Sequence, residues 1–230
     1  NKENVERLRK TFLRVNAQRL TRCEDALPKT HQDFISLLPL MFHLNDPNLP
    51  GYINDNVPIC INGYFPNKAT TDAGRRLIDV HFKVTNKLAL AMKIKSIFLV
   101  NSSATFASNE KFEEINVWIL VDPKLSNEEK SFLIDKTHLI EQWAEGKGIL
   151  THILLFDPSK IDQGEINTKQ LVEPQADSQI NHHLLLDEFY ANSILLAGQY
   201  PIWWLISIEK EANYDACVTQ IIEEEWVDEV

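Results

Sequence analysis

Glu114 and Asn116, one residue apart, open the apolar run INVWILV at 115–121. Directly before them lies a Ser-, Ala- and Asn-rich stretch, NSSATFASNEKFE at 101–113. Alternate residues of a strand point to the same side. An Asp-x-Asp pair in this setting holds one or two Mg²⁺ ions, which neutralise phosphates and lower the pKa of an attacking hydroxyl. Here the two positions are an acid and an amide. Ser102, Ser103 and Thr105 are candidates to bond phosphate oxygens. Each has a plainer alternative: an ordinary polar loop for the hydroxyls, a solvated or salt-bridged strand end for Glu114.

Other polar residues carry weaker signals. His183 and Asp187, four apart, share a helix face, and His182 precedes them. No third ligand is in view, so a surface histidine pair is the simpler reading. Asp187 and Glu188 fall in the middle of a helical stretch and fit pairing with a buried Arg or capping of nearby backbone. His152 reads as packed or half-exposed. Trp118, Trp143, Trp203 and Trp204 read as core. Trp203 and Trp204 cannot share one side of a strand, which leaves one to meet another domain. No GxSxG, GxxxxGK[ST] or HExxH occurs, so triad hydrolases, P-loop proteins and zincins lose their sequence support.

The elements that must position these residues follow from periodicity. Val5, Leu8, Phe12 and Val15 predict an amphipathic helix over 3–26. Asp33 begins or caps a second helix through His43, with Phe34, Leu37, Leu38 and Met41 inward. Pro47, Pro50, Gly51 and Pro58 mark 45–58 as loop. A short strand is expected from Ile59 to Phe65, and helix over most of 70–92. Lys95 to Val100 reads as a strand, and Ile115 to Val121 as a central one, apolar on both faces. Ser126, Glu128 and Glu129 start a helix with Phe132, Leu133, Leu139, Ile140 and Trp143 as its stripe. Ile149 to Phe156 is a third strand. A polar excursion is expected over 159–178, a strong helix over 179–197 ending at Gly198, an apolar strand or helix from Pro201 to Ile208, and a last helix over 211–226. The middle of the chain therefore reads strand, loop, strand, helix, strand, an α+β pattern. Strand, Ser-rich loop and returning strand is also the frame of the nucleotidyltransferase fold.

Composition narrows the classes. The chain has 230 residues, 44% apolar and 24% charged, which excludes wholesale disorder. No run approaches the roughly 20 apolar residues of a membrane helix. The net charge of −10 is a poor match for nucleic acid or anionic membrane. Residues 1–22 carry +5 and residues 209–230 carry −7. These ends read either as two solvated helix faces or as segments that dock on each other or on neighbouring domains. Cys23, Cys60 and Cys217 are widely spaced and odd in number, which fits structural thiols in a reducing cytoplasm. Only seven glycines are present, so a phosphate-cradling loop has little glycine to use. The start at Asn1 rather than Met predicts a piece of a longer protein.

Several stretches resemble the N-terminal domain of bacterial class I adenylate cyclases. PGYINDNVP at 50–58, leading into GYFP at 63–66, is similar to the family's PGY-x-x-x-NVP segment. SSATFASNEKFEEINVWIL at 102–120 resembles its Gly-Ser-Thr-Ser loop followed by Asp-Leu-Asp-Ile-Trp-Val. LIEQWAEGKG at 139–148, HHLLLDEFYANSILLAG at 182–198 and SLLP at 36–39 match as well. The likeness runs from about residue 5 to 206. It implies a nucleotidyltransferase-like mixed sheet flanked by helices. It also implies ATP as ligand, Mg²⁺ as cofactor, and conversion of ATP to cyclic AMP and pyrophosphate by attack of the ribose 3′-hydroxyl on the α-phosphate. The implied divisions are a helical region at 1–92, a core at 93–208 and an acidic terminal helix at 209–230.

The departures fall where that chemistry would be. The family's first loop glycine is Asn101 here, while the serine beside it is kept as Ser102. The first aspartate falls on Glu114, a candidate metal ligand with a longer arm, and the second on Asn116, which has only a neutral carbonyl. The acid expected on the third strand falls on Leu150. The basic residue expected after Leu-Ala-Gly is Gln199, a candidate phosphate contact with Ser102 and Ser103. The resemblance, read with these changes, implies a degenerate metal site. Two alternatives stay open: an active cyclase domain completed by Glu114 and acids elsewhere, and a protein-interaction module that binds no nucleotide.

Overall fold

The computed structural model describes residues 2–79, 92–100, 114–157 and 189–223. The candidates Ser102, Ser103, Thr105, His182, His183, Asp187 and Glu188 lie outside these residues, as do the expected excursion at 159–178 and most of the expected helix over 179–197.

The fold is α+β. Among the described residues a four-stranded mixed sheet has the order β3-β2-β1-β4, with β1 Ile94–Leu99, β2 Ile115–Val121, β3 Thr151–Phe156 and β4 Ile194–Gly198. β1 is antiparallel to β2 and β4, and β2 is parallel to β3. The α-helices are α1 Lys2–Asp25, α2 Lys29–His43, α3 Lys68–Ile78, α4 Asn127–Glu145 and α5 Tyr214–Glu223.

Strand alternation gives the sheet two unlike faces. Val117, Ile119, Ile97, Leu99 and Ile153 face an aliphatic core with α2 and α4. Phe98, Trp118 and Phe156 face an aromatic layer with Phe189, Leu195 and Phe12 of α1. Helix α2 is deeply buried: Phe34, Leu37, Leu38, Met41 and Phe42 are fully enclosed. Helix α4 starts on a reciprocal cap, in which the Ser126 hydroxyl accepts from the Glu129 N–H and the Glu129 carboxylate accepts from the Ser126 N–H.

Several expectations need correction. Helix α2 starts at Lys29, a turn earlier than expected, so Asp33 is no cap. Its buried carboxylate accepts two hydrogen bonds from Arg76 of α3, both 2.7 Å, and pairs with Lys29 at 3.0 Å. Burial pushes its pKa up, but the Arg76 and Lys29 hydrogen bonds overcome this and hold it below the usual carboxylate value. Ile59–Phe65 forms only a single bridge, Ile61 to Ile94, because the backbone turns through positive φ at Cys60 and Gly63. Leu139, expected in the stripe of α4, is exposed, and Lys136 is buried instead. The C-terminal part of the expected helix over 179–197 is strand β4. ILLAG satisfies either periodicity, and the unpaired edge of β1 decides the outcome by offering a ladder of backbone partners. Pro201–Ile208 contains a 3₁₀ helix, Ile202–Leu205. The oppositely charged ends meet through apolar residues, Val5 with Leu205 and Ile221.

Both outer edges of the sheet are closed by helix side chains. On β4, the Asn16 amide donates to the Leu195 carbonyl at 2.9 Å and accepts from the Leu195 N–H at 2.8 Å, as a neighbouring strand would. On β3, the Glu141 carboxylate accepts from the Ile153 N–H. Each contact occupies one edge position that another strand would use. Asn16→Leu leaves both Leu195 groups unpaired. It should cost about 2–3 kcal/mol in urea unfolding, and an unchanged midpoint would refute this role.

Lys136 is fully enclosed, and its ammonium donates to the Gly51 carbonyl at 3.2 Å. Burial pushes its pKa down from 10.5 to about 8. The unfolded chain therefore binds more protons than the native one between these values, and stability rises with pH across that window. Below it the penalty is on the order of 3 kcal/mol. Lys136→Met should stabilise the domain by roughly 2 kcal/mol at pH 7, net of one lost hydrogen bond. The gain should shrink as pH approaches 10. A gain constant from pH 7 to 10 would show that burial does not lower the pKa of this lysine in the fold.

Candidate functional site

Glu114 and Asn116 stand at the N-terminal end of β2, where the chain leaves the Ser-rich segment. Asn116 is directly beside His152 in the parallel β2–β3 register. The Asn116 carbonyl accepts from the Val100 N–H at 2.8 Å, so the strand is locked on both sides at this residue. The Glu114 Oε1 atom lies 2.6 Å from His152 Nε2. One carboxylate, one imidazole and one amide thus crowd the end of the sheet, with Glu114 one-third and His152 more than half exposed.

This set does not fit a dication held by paired acids. Among the described residues one carboxylate, that of Glu114, stands at this end, and His152 lies against it. The neighbouring Asn116 carries no charge. Leu150, where a further acid was expected, is an exposed apolar side chain that precedes β3, and its carbonyl accepts from the Ile115 N–H. Among the described residues no group of three His, Cys, Asp or Glu side chains converges as a metal site would require. A polar hollow of about 310 Å³ beside His152 is lined by His138, Glu141 and Glu145. Glu141 is committed there to the Ile153 N–H and to His138.

Gln199 is not brought to Glu114 and Asn116. It follows β4, whose Gly198 is level with Ser96 of β1 and so with Leu120 near the far end of β2. Its N–H donates to the Lys95 carbonyl at 2.9 Å. Gly198 has φ +96°, and a Cβ there would lie 2.2 Å from the Lys95 carbonyl oxygen. The glycine is what lets the chain pass β1 and deliver Gln199 to the aromatic face.

On that face lies a cavity of about 350 Å³. Trp118, Phe156, Phe189, Tyr190 and Trp203 form much of its wall. Trp118 is stacked on Phe156 at 4.2 Å and on Phe189 at 4.9 Å, and Tyr190 meets Trp203 edge-on at 4.8 Å. Gln199 and Lys95 also line it. Sequence reasoning missed the His152 partner and this cavity. The same-face spacing of Asn116, Trp118 and Leu120 was a signal for one wall. The His152 contact depends on where β3 begins in the register.

Comparison with known proteins decides the family. The model of the adenylate cyclase NT domain matches residues 4–204. This chain belongs to the adenylate cyclase N-terminal domain family. Adenylate cyclase of Yersinia intermedia is 28% identical over 97% of the chain, and that of Escherichia coli K12 is 26% identical over the same share. Adenylate cyclase of Salmonella typhimurium is 25% identical. The chain spans 27% of the length of each of these relatives. No solved structure matches. In this cyclase-family domain, the Pro50-Gly51-Tyr52 turn packs on α4: a Cβ on Gly51 would lie 2.7 Å from Ile140, and the Gly51 carbonyl is the partner of Lys136.

Gly198→Ala should lower the unfolding free energy by about 2–4 kcal/mol, from strain and from the clash with backbone at β1. Urea denaturation reads this directly. A neutral substitution would mean that β4 can shift without cost.

Proposed function

We propose that this domain is a cyclase-family domain whose metal site no longer supports cyclisation of ATP, kept as a nucleotide-binding or scaffold module of a longer, cytoplasmic, cyclase-like chain. The observation that carries the reading is the Glu114–His152 contact of 2.6 Å with Asn116 as the next same-face residue. A family cyclase would use metal-bound acids to neutralise the triphosphate and activate the ribose hydroxyl. Here an imidazole engages the Glu114 carboxylate, and the second position contributes a neutral carbonyl. Glu114 and Asn116 are the altered dyad, Mg²⁺ is not supported by this donor set, and Ser102 and Ser103 remain candidate phosphate contacts. The helical region at 1–92, the core at 93–208 and the terminal segment at 209–230 act as one unit in this reading, joined to the remaining domains of the parent protein.

Calorimetric titration of ATP with Mg²⁺, then Mn²⁺, tests the metal site on the wild type, on Asn116→Asp and on Asn116→Asp with His152→Ala. The expected result is no metal-dependent ATP affinity in the wild type and a gain of about tenfold or more in the double variant, as a second charge is restored and the first is freed. Metal-dependent binding by the wild type, or cyclic AMP formation above blank, would overturn the reading.

A further inference from the structure

The segment 59–65 joins the end of α2 to the start of β1, and its backbone is strained. Cys60 sits at φ +78°, a conformation that a residue with a side chain keeps only where its surroundings enforce it. Three hydrogen bonds around Cys60 do so. Its N–H donates to the Phe42 carbonyl at 3.3 Å, and its carbonyl accepts from the Ile94 N–H at 3.1 Å. The Ile61 N–H donates to Nδ1 of His43, the last residue of α2, at 3.2 Å. Ile61 is buried, so its N–H has little to gain from water if that acceptor is lost.

The third bond differs in kind from the other two. A backbone carbonyl accepts at any pH. An imidazole nitrogen accepts only while it is unprotonated, which here puts the ring proton on Nε2. We propose that His43 is a pH-operated latch: the neutral ring holds the strained segment closed against α2 and β1, and a proton taken up at Nδ1 releases it. The surroundings leave the switch to this one group. Tyr64 is the titratable side chain set against the ring, edge-on at 5.1 Å, and burial pushes its pKa up, so it stays neutral. Cys60 is the segment's other titratable side chain. Lys93, whose N–H donates to the Ile59 carbonyl, has its ammonium paired with Glu129 at 3.1 Å. Among the described residues no ion pair involves His43. Burial lowers the pKa of His43 in the closed form, while a released ring titrates near the ordinary value of about 6.5. The open form therefore takes the proton first. Closure is fully favoured above about pH 6.5, and opening grows as pH falls below it. The inference is independent of the proposed function, since it needs neither a nucleotide nor a metal.

Nuclear magnetic resonance of the isotope-labelled wild-type chain reads the latch directly. At about pH 7.5 the His43 ring should carry its proton on Nε2 and none on Nδ1. Between about pH 7.5 and about pH 5.5, hydrogen-exchange protection of the Ile61 amide should fall about threefold to tenfold relative to that of Ile97 in β1. His43→Asn, whose side-chain carbonyl accepts without titrating, should keep Ile61 protected and remove this relative pH dependence. A proton on Nδ1 in the wild type overturns the proposal. So does Ile61 protection that follows Ile97 across the range. A relative loss that persists in His43→Asn overturns it as well, because another group would then be titrating. The first two measurements need only the wild type, so they decide the matter even where the variant fails to fold.

Discussion

Strand β2 has to be buried on both faces, and the other layers answer to that constraint. Val117, Ile119 and Val121 require an apolar layer on one side, met by α2 and α4. Trp118 requires a larger one on the other, met by Phe156, Phe189 and the α1 side of the molecule. A central strand buried in this way also fixes its register, since a one-residue slip would carry Asn116 into the aliphatic core and Val117 out of it. The polar end of β2 is therefore held to a defined position by packing that has nothing to do with its chemistry.

The same rigid frame makes the composition of that end informative. Glu114, Asn116 and His152 meet at this end, where the Glu114 carboxylate lies against the His152 imidazole. Enclosed charge elsewhere in the domain differs in the partners it finds. Asp33 is enclosed but met by Arg76 and Lys29. Lys136 is enclosed with a single carbonyl and loses part of its basicity in consequence. Among the described residues, enclosed charge is thus met by opposite charge at Asp33 and by a carbonyl at Lys136.

Much of the architecture was legible from local patterns. INVWILV could be only a buried strand, and its observed limits are the expected ones. Ser126 and Glu129 announced the start of α4, and Phe34, Leu37, Leu38 and Met41 the inward side of α2. The failures share a cause. ILLAG at 194–198 suits a helix or a strand by periodicity, and the choice was made by the open edge of β1 together with the Asn16 side chain, 179 residues away. The stub at 59–65 was apolar enough for a strand, but positive φ at Cys60 prevents a ladder. The burial of Lys136 depends on the Gly51 turn arriving over α4.

For the candidate site the division is similar. The sequence by itself determined that an acid and an amide stand two residues apart at the start of β2, because residue identity and two-residue spacing on a strand are local facts. Only the tertiary structure decided what surrounds them. The parallel register of β2 with β3 put His152 against Glu114, and the β1–β4 pairing carried Gln199 past Gly198 to the far end of the aromatic face. Register and strand order are set by which whole surfaces pack together, a free energy summed over many distant residues that no single segment encodes.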